Sequence, residues 1–265
     1  MKSLNSMLSH EIPICCLADV GGTEWLRSAT SELNQALICL HPISKESSSQ
    51  LRLPENSNHQ EFGKESFIRL TPLKWKLIRE SLIQHSDCDG VLFSDLDIIW
   101  LSNPSLNNEF HQTTHIFAQD DSYKKELKKH FCSGIMFWPN SELHLQLSEN
   151  LFDYHLRIIQ SGQLIPDEPI FNRFFAELDR VRLVSSLDIE RFIIGHRILR
   201  FLVSNNSYRE RVVALHANYL VGDNRKDVAL KTIIARQQSK AKWIFGFLTM
   251  LWWRILAKAG SLFRR

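Results

Sequence analysis

The amino-acid sequence predicts an α/β protein. We expect one Rossmann-type domain, in which helices flank a mostly parallel central sheet, followed by an amphipathic C-terminal helix. Apolar runs with β-propensity alternate with segments of helical periodicity, which is typical of parallel sheets with crossover helices. Acidic residues follow two of these runs, and such sheets bind ligands beyond the carboxyl ends of their strands.

The composition is that of an ordinary soluble globular protein. The hydrophobic share of 44% and the charged share of 23% argue against disorder, and 265 residues can bury a large core. A net charge of +3 does not indicate a nucleic-acid partner. The five cysteines lack zinc-type C-x₂-C spacing, which favours reduced thiols in the cytoplasm. No apolar stretch follows a basic start, so we expect no signal peptide.

The first elements predict a βαβ unit. Residues 12–20 form a buried strand that includes Asp19 near its end, and a glycine pair closes it. A helix over residues 24–35 follows, with Thr23 as its cap, and then a strand over residues 36–40. This order predicts a right-handed crossover between parallel strands.

The next segment combines a polar loop with a helix. Residues 44–66 are polar and without periodicity, which indicates a long loop. Pro72 stands near the start of a predicted helix over residues 72–84, in which Leu77 and Leu82 are among the apolar positions.

Two carboxylates interrupt the apolar run from residue 90 to residue 101. Asp95 and Asp97 form a D-x-D pair, and alternation along a strand would point both to one side. Two like charges in an apolar setting are costly unless a cation meets them, and carboxylate oxygens suit Mg²⁺ or Mn²⁺. The alternative is that both acids end the strand and face water.

Further strands and helices follow the pair. We expect strands over residues 114–118 and 131–139, an exposed helical turn over residues 124–129, and an amphipathic helix over residues 141–160. Gly134 lies inside the longer strand, where a β-bulge would explain it.

A second acidic pair begins a later helix. Asp167 and Glu168 stand at its N-terminus, where the helix dipole favours a carboxylate. A role in capping the helix, without any catalytic role, explains Asp167 and Glu168 equally well. An edge strand over residues 181–187 follows, whereas residues 192–203 receive no assignment.

A histidine ends the last predicted strand. His216 follows the apolar run from residue 212, and its imidazole could complete a metal site begun by Asp97. Lys226 or Lys231 could neutralise the phosphates of a bound ligand, and Gly222 would allow the backbone to approach that ligand closely. A purely structural histidine is the alternative.

Taken in order, these motifs resemble those of nucleotide-diphospho-sugar transferases of the GT-A type. The closest likeness is to the retaining group called glycosyltransferase family 77. It rests on the D-x-D strand, on Ser133-Gly134, on Asp167-Glu168-Pro and on the His-x-Asn, Gly, Lys order after residue 215. Two positions depart from the family pattern, since Cys132 replaces Asn and Glu168 replaces Gln.

The resemblance implies residue roles and a reaction. A Mn²⁺ or Mg²⁺ ion would be held by three ligands, Asp95, Asp97 and His216. Donor binding would involve Asp95, Lys74 (with Lys76 as its rival), Ser133, Gly134, Gly222 and Lys226. The catalytic candidates are Asp167 and Glu168. The implied reaction transfers a sugar from a nucleotide-diphosphate donor, with UDP as the expected nucleotide, to the hydroxyl of a glycan, lipid-linked or protein acceptor, with retained anomeric configuration.

Two alternatives come from other classes. A non-catalytic carbohydrate-binding or scaffold protein could keep the fold, as the changes at Cys132 and Glu168 allow. A phosphohydrolase of the haloacid-dehalogenase type also uses D-x-D, but its motif follows the first strand and requires Thr or Val where Ile99 stands.

The C-terminal segment differs in kind from the transferase-like domain, which we assign to residues 1–235. Within residues 236–265, an almost wholly apolar run from Trp243 is interrupted by Arg254, before the ~20 residues that a bilayer crossing needs. Basic residues flank this run, and tryptophans favour the headgroup zone of a membrane. We expect an interfacial helix, on the inner face of a membrane, or a helix that packs on the domain or a partner.

Overall fold

The structure is a computed structural model. It describes residues 14–18, 38–42, 49–51, 64–95, 97–102, 110, 113–121, 130–218, 223–238 and 243–262. The strands are β1 (Ile14–Ala18), β2 (Ile38–Pro42), β3 (Gly90–Ser94), β4 (Ile98–Trp100), β5 (Ile116–Asp120), β6 (Phe131–Pro139), β7 (Val184–Leu187), β8 (Phe192–Ile194) and β9 (Ala214–His216). The α-helices are α1 (Glu65–Leu70), α2 (Leu73–Gln84), α3 (Glu142–Gln160), α4 (Asp167–Glu177), α5 (Ile198–Val203), α6 (Asn206–Arg211), α7 (Asp223–Gln237) and α8 (Trp243–Leu262).

The chain divides into two compact units, and the first comprises residues 1–94 and 103–187. Its four-stranded sheet has the order β3-β6-β5-β7, and β1 pairs with β2 in a separate two-stranded sheet. All nine residues of β6 are buried, as expected for a central strand covered on both faces. Helices α2 and α4 contribute Trp75 and Phe171 to the core, where their rings stack with centroids 5.8 Å apart.

The second unit comprises residues 95–102 and 188–265. Its three-stranded sheet has the order β4-β9-β8. The core contains Ile99 of β4, Leu215 of β9, Phe201 of α5, Ile233 of α7 and Met250 of α8. Within the described residues, every helix falls short of the length or the hydropathy that a bilayer crossing requires.

The predicted α/β class is confirmed, and the strand pairing is mixed. Three described pairings are parallel (β1 with β2, β5 with β7, β8 with β9) and three are antiparallel (β3 with β6, β5 with β6, β4 with β9). The sequence predicted a mostly parallel sheet. The difference arises largely at β6, which runs antiparallel to both of its neighbours.

Most predicted elements are found with small shifts in their bounds. The parallel pair β1 and β2, the helix after Pro72, the long helix α3 and the edge strand β7 are all present. Helix α1 occupies part of the predicted loop, and the unassigned stretch forms β8, a 3₁₀ turn and α5. The predicted helix over residues 24–35, the turn over residues 124–129 and Asp19 lie outside the described residues. The domain boundary at residue 235 stays a prediction.

One prediction about the D-x-D pair was wrong. Asp95 and Asp97 were expected on one continuous strand, but β3 ends at Ser94 and β4 begins at Ile98. The two strands belong to different sheets, because β3 pairs with β6 and β4 pairs with β9. Both aspartates therefore lie in the connection between strands, and strand alternation does not set their direction.

Candidate functional site

Backbone pairing in the second unit brings Asp97 next to His216. Ile98, the first residue of β4, is the register partner of His216, the last residue of β9. The N–H of Ala217 donates a hydrogen bond of 3.0 Å to the carbonyl oxygen of Asp97. The two candidate side chains are thus held at adjacent strand ends by the antiparallel ladder.

Three side chains form a compact group of potential metal ligands. Nε2 of His216 lies 3.2 Å from Oδ1 of Asp97 and 4.0 Å from Oδ2 of Asp95. One ligand atom from each residue lies within 4.8 Å of the others. The His216 side chain is only 4% exposed, whereas that of Asp95 is 35% exposed. The group therefore joins a buried imidazole to a partly open carboxylate.

Lys226 adds a positive charge on the other side of Asp97. Its ammonium group, carried by α7, donates a hydrogen bond of 2.6 Å to Oδ2 of Asp97. Burial alone would raise the pKa of Asp97, but hydrogen bonds and charge interactions with His216 and Lys226 outweigh it and hold this pKa well below its usual range. Asp97 is therefore a carboxylate across the physiological pH range. Lys231 instead pairs with Asp227 on the exposed side of α7.

The donor set fits a divalent metal ion. Two ligand atoms bound to one ion at ~2.2 Å lie between ~3.1 and ~4.4 Å apart, depending on the angle between them. The His216 separations of 3.2 and 4.0 Å fall within this range. The two carboxylates suit Mn²⁺ or Mg²⁺, whereas the imidazole favours the transition metal of the two, and three protein ligands leave coordination positions for phosphate and water.

Asn218, two positions after His216, fixes the end of β9. The N–H of Gly195 donates a hydrogen bond of 2.6 Å to Oδ1 of Asn218. A Cβ atom at position 195 would lie 1.9 Å from the backbone oxygen of Asn218, so only glycine fits this approach. The Asn of the His-x-Asn motif therefore ties the end of β9 to the turn that follows β8.

A second group of functional candidates lies in the first unit. The ammonium group of Lys74 contacts Oδ2 of Asp167 and donates a hydrogen bond of 3.0 Å to the carbonyl oxygen of Ser133. The Ser133 hydroxyl also donates to Oδ2 of Asp167, at 2.5 Å. Burial would raise the pKa of Asp167, but the Lys74 charge and these hydrogen bonds lower it. Lys74 therefore belongs to a buried charged pair, whereas its rival Lys76 lies 3.9 Å from Glu80 in a surface pair.

A bulge in β6 delivers Ser133 to this group. Ala118 of β5 is paired with Met136, but the next residue, Gln119, is paired with Cys132. Three residues of β6, including Ser133 and Gly134, therefore lack a register partner on β5. This irregularity agrees with the β-bulge explanation of Gly134.

Glu168 stands next to Asp167 in a different environment. Its Oε1 atom lies 2.9 Å from Nε2 of His130, and its side chain is 30% exposed. Burial and the nearby charge of Asp121 raise the pKa of Glu168, against hydrogen bonds from His130 and Cys132 that lower it. Cys132 and Glu168 therefore contact each other. They are the two positions at which the chain departs from the family pattern, with Cys132 in place of Asn and Glu168 in place of Gln.

Sequence reasoning missed two residues that position this group. The side-chain amide of Asn172 donates to the carbonyl oxygens of Phe131 (2.7 Å) and Glu168 (2.9 Å), and its oxygen accepts from the N–H of Phe131 at 2.8 Å. Asn172 therefore fastens α4 to the start of β6. It is the Asn of the Asp-x-Pro-x-x-Asn pattern, so its place in that motif was an available signal. No pattern in the sequence pointed to His130.

The structure thus groups most of the predicted site residues within one unit or the other. Asp95, Asp97, His216 and Lys226 form one group. Lys74, Ser133 and Asp167 form the other, with Glu168 beside Asp167 in the chain. Gly222 lies outside the described residues.

Comparisons with known proteins agree with these motifs. The sequence profile of the nucleotide-diphospho-sugar transferase family matches residues 33–229. None of the curated proteins matches the sequence.

The solved structures that resemble the chain include two sugar transferases. Apo mouse xyloside xylosyltransferase 1 is 14% identical with a TM-score of 0.50, and the alignment covers 83% of this chain and 90% of that chain. The galactosyltransferase LgtC, in complex with donor and acceptor sugar analogs, is 13% identical with a TM-score of 0.49, and the alignment covers 89% and 100%. At 14% identity the likeness to the xylosyltransferase concerns the fold alone, whereas the profile match spans most of the sequence. The chain therefore belongs to the nucleotide-diphospho-sugar transferase family.

Proposed function

We propose that this glycosyltransferase is metal-dependent and transfers a hexosyl or pentosyl group from a nucleotide-diphosphate sugar, with UDP as the nucleotide, to an acceptor hydroxyl. The observation that carries the proposal is the convergence of Asp95, Asp97 and His216 within 4.8 Å. These residues would hold Mn²⁺ or Mg²⁺, which supplies Lewis-acid stabilisation of a departing diphosphate. Asp95 is the most exposed of the three and is also available to a donor hydroxyl.

Lys226 would serve the diphosphate as well. Its ammonium group pairs with Oδ2 of Asp97 and is partly exposed, with 30% of the side chain accessible. An ammonium group on a flexible stem suits a phosphate oxygen as a point charge. We assign Lys226 to phosphate binding, with Gly222 as the proposed close-approach position in the same stretch.

The group in the first unit would bind the sugar. Asp167 is tied to Lys74 and Ser133, which fixes one carboxylate oxygen and sets the direction of the other. A carboxylate held in this way accepts hydrogen bonds from sugar hydroxyls in a defined orientation. We assign donor binding to Lys74, Ser133 and Gly134, and catalytic contact with the sugar to Asp167 and Glu168.

We propose a retaining outcome, in keeping with the resemblance to glycosyltransferase family 77. A front-face mechanism, in which the departing phosphate takes the proton of the acceptor hydroxyl, requires no protein nucleophile. Double displacement would instead require a carboxylate to attack the anomeric carbon. Of the two candidates, Glu168 has the more exposed side chain, 30% against 13% for Asp167, so Glu168 is the one suited to that role.

The proposed acceptors are glycans, lipid-linked sugars or proteins, and no nucleic acid takes part. We place the reaction in the cytoplasm, on the inner face of a membrane. A screen of nucleotide sugars with Mn²⁺, read by mass spectrometry of the released nucleotide, tests the proposal. Metal-dependent release from one donor supports it. Absence of release from every donor, together with sugar binding, supports a carbohydrate-binding or scaffold protein that keeps the fold, as the replacements at Cys132 and Glu168 allow.

A further inference from the structure

Helix α8 carries an exposed apolar face. Five large side chains contribute to it: Ile244 (46% exposed), Phe245 (77%), Leu248 (53%), Leu251 (37%) and Trp252 (58%). Their spacing of one, three and four residues places them along one side of the helix. Scattered exposed hydrophobic residues are normal on a protein surface, but a contiguous set that includes two aromatic rings indicates an interaction surface.

The opposite side of α8 is fixed to the second unit. Met250 is buried in the core, and Trp243 and Phe247 pack against it. The guanidinium carbon of Arg236 lies 4.4 Å from the centroid of the Trp243 ring. Gly246 lies against Thr232 of α7 so closely that a Cβ atom would lie 1.8 Å from its hydroxyl oxygen. These contacts set the rotation of α8, so the apolar face is presented outward by a docked helix and not by a free tail.

The sequence from residue 228 onward carries charge of one sign. After Asp227 the sequence contains no acidic residue up to its last residue, and the same stretch contains eight basic residues. They are Lys231, Arg236, Lys240, Lys242, Arg254, Lys258, Arg264 and Arg265. Exposed aliphatic and aromatic side chains beside a uniformly basic segment match the interface of an anionic bilayer, where apolar groups enter the acyl boundary and basic groups meet phosphate headgroups.

We propose that the exposed face of α8 docks on the surface of an anionic phospholipid bilayer, with Phe245 and Trp252 as its inserted side chains. The aromatic rings provide most of the buried apolar area, and the basic residues provide attraction to the headgroups. Because α8 is docked on the second unit, this contact would orient that unit on the membrane. The proposal stands on the C-terminal helix and does not depend on transferase activity.

Sedimentation of the full-length protein with vesicles tests this proposal. We expect the parent to bind vesicles that contain phosphatidylglycerol, to bind pure phosphatidylcholine vesicles at least roughly tenfold less, and to be weakened by salt. Phe245→Glu combined with Trp252→Glu should reduce binding at least roughly tenfold. The matched control combines Ile83→Glu with Leu143→Glu, which changes the net charge equally at side chains that are 50% and 43% exposed elsewhere. It should bind like the parent.

A second double variant keeps the net charge unchanged. Phe245→Ser with Trp252→Ser should also lose binding, and the circular dichroism spectra of all variants should match that of the parent. Failure of the parent to bind anionic vesicles, or equal binding by the face variants, would overturn the proposal. Light scattering that shows a lipid-free oligomer, which the same variants convert into a monomer, would also overturn it, because a second copy would then cover the face.

Discussion

Nε2 of His216 lies 3.2 Å from Oδ1 of Asp97, although the two residues are far apart in the sequence. The register of β4 with β9 makes this proximity a consequence of backbone pairing. The candidate metal group therefore depends on the three-stranded sheet as well as on the three ligands.

Replacement of Asp97 should abolish turnover without unfolding the protein. Asp97→Asn keeps the shape of the side chain but removes the charge that a divalent ion requires, and we expect a loss of roughly hundredfold or more in kcat/KM. Asp227→Asn is the matched control, because this carboxylate pairs with Lys231 on the exposed face of α7. Equal kcat/KM in Asp97→Asn and the parent would contradict the assignment.

Replacement of Lys74 should reduce stability strongly. The side chains of Lys74 and Asp167 are only 10% and 13% exposed, so Lys74→Ala leaves a buried carboxylate without its cation. We expect the free energy of unfolding to fall by about 3–5 kcal/mol in urea denaturation.

Two further variants sharpen this measurement. Lys76→Ala removes a neighbouring lysine from a surface pair and should change the free energy of unfolding by about 0.5 kcal/mol or less. Lys74→Met combined with Asp167→Asn should recover much of the loss, because no buried charge remains. Equal effects of Lys74→Ala and Lys76→Ala would show that the Lys74 pair is not buried as described.

The buried His155 predicts a pH dependence of stability. Its Nδ1 atom accepts a hydrogen bond of 3.2 Å from Nε1 of Trp75, and its Nε2 atom donates to the carbonyl oxygen of Ile165 at 2.9 Å. Burial lowers the pKa of His155 from 6.5 to about 4. The unfolded chain therefore binds a proton below pH ~6.5 that the folded protein takes up only near pH ~4.

This pKa difference gives the sign of the effect. The stabilisation associated with neutral His155 is fully present above pH ~6.5 and is lost as the pH falls towards ~4, by an amount on the order of 3 kcal/mol. His155→Gln should be less stable than the parent at neutral pH, and the difference should narrow below pH ~6.5. Stability curves of parent and variant that stay parallel from pH 7 to pH 4 would refute the prediction.

Glu168 distinguishes the two retaining mechanisms. If the reaction follows the front face, Glu168→Gln should keep turnover within about tenfold, because the amide replaces a contact and not a nucleophile. Intact-protein mass spectrometry of the parent with donor alone should then show no glycosyl adduct. An adduct on the peptide that contains Glu168, absent from Glu168→Gln, would establish double displacement instead.

Much of the fold and several site residues could be predicted from the sequence because their signals are local. The 3–4 residue spacing of apolar positions marks α3, and a largely apolar run, interrupted at Ser133 and Gly134, marks β6. Asp167 was placed at a helix N-terminus, where α4 begins. Lys74 was preferred over Lys76 only by resemblance, and its burial against Asp167 supplies the physical reason.

Other features depend on pairing between distant segments, whose geometry no local pattern specifies. The break between Ser94 and Ile98 arises because β3 and β4 have partners in different sheets. The bulge that delivers Ser133 depends on the register of β5 against β6. The triple hydrogen bonding of Asn172 to Phe131 and Glu168 requires α4 to lie beside β6.

The central claim is that Asp95, Asp97 and His216 hold one divalent ion that binds the diphosphate of the donor. Isothermal titration calorimetry of UDP binding, with Mn²⁺ and with a chelator, tests it most directly on the parent and on Asp97→Ala. We predict that UDP binds the parent only with Mn²⁺ and does not bind Asp97→Ala under either condition. UDP binding that is independent of the metal, or equal in the parent and in Asp97→Ala, would contradict the claim.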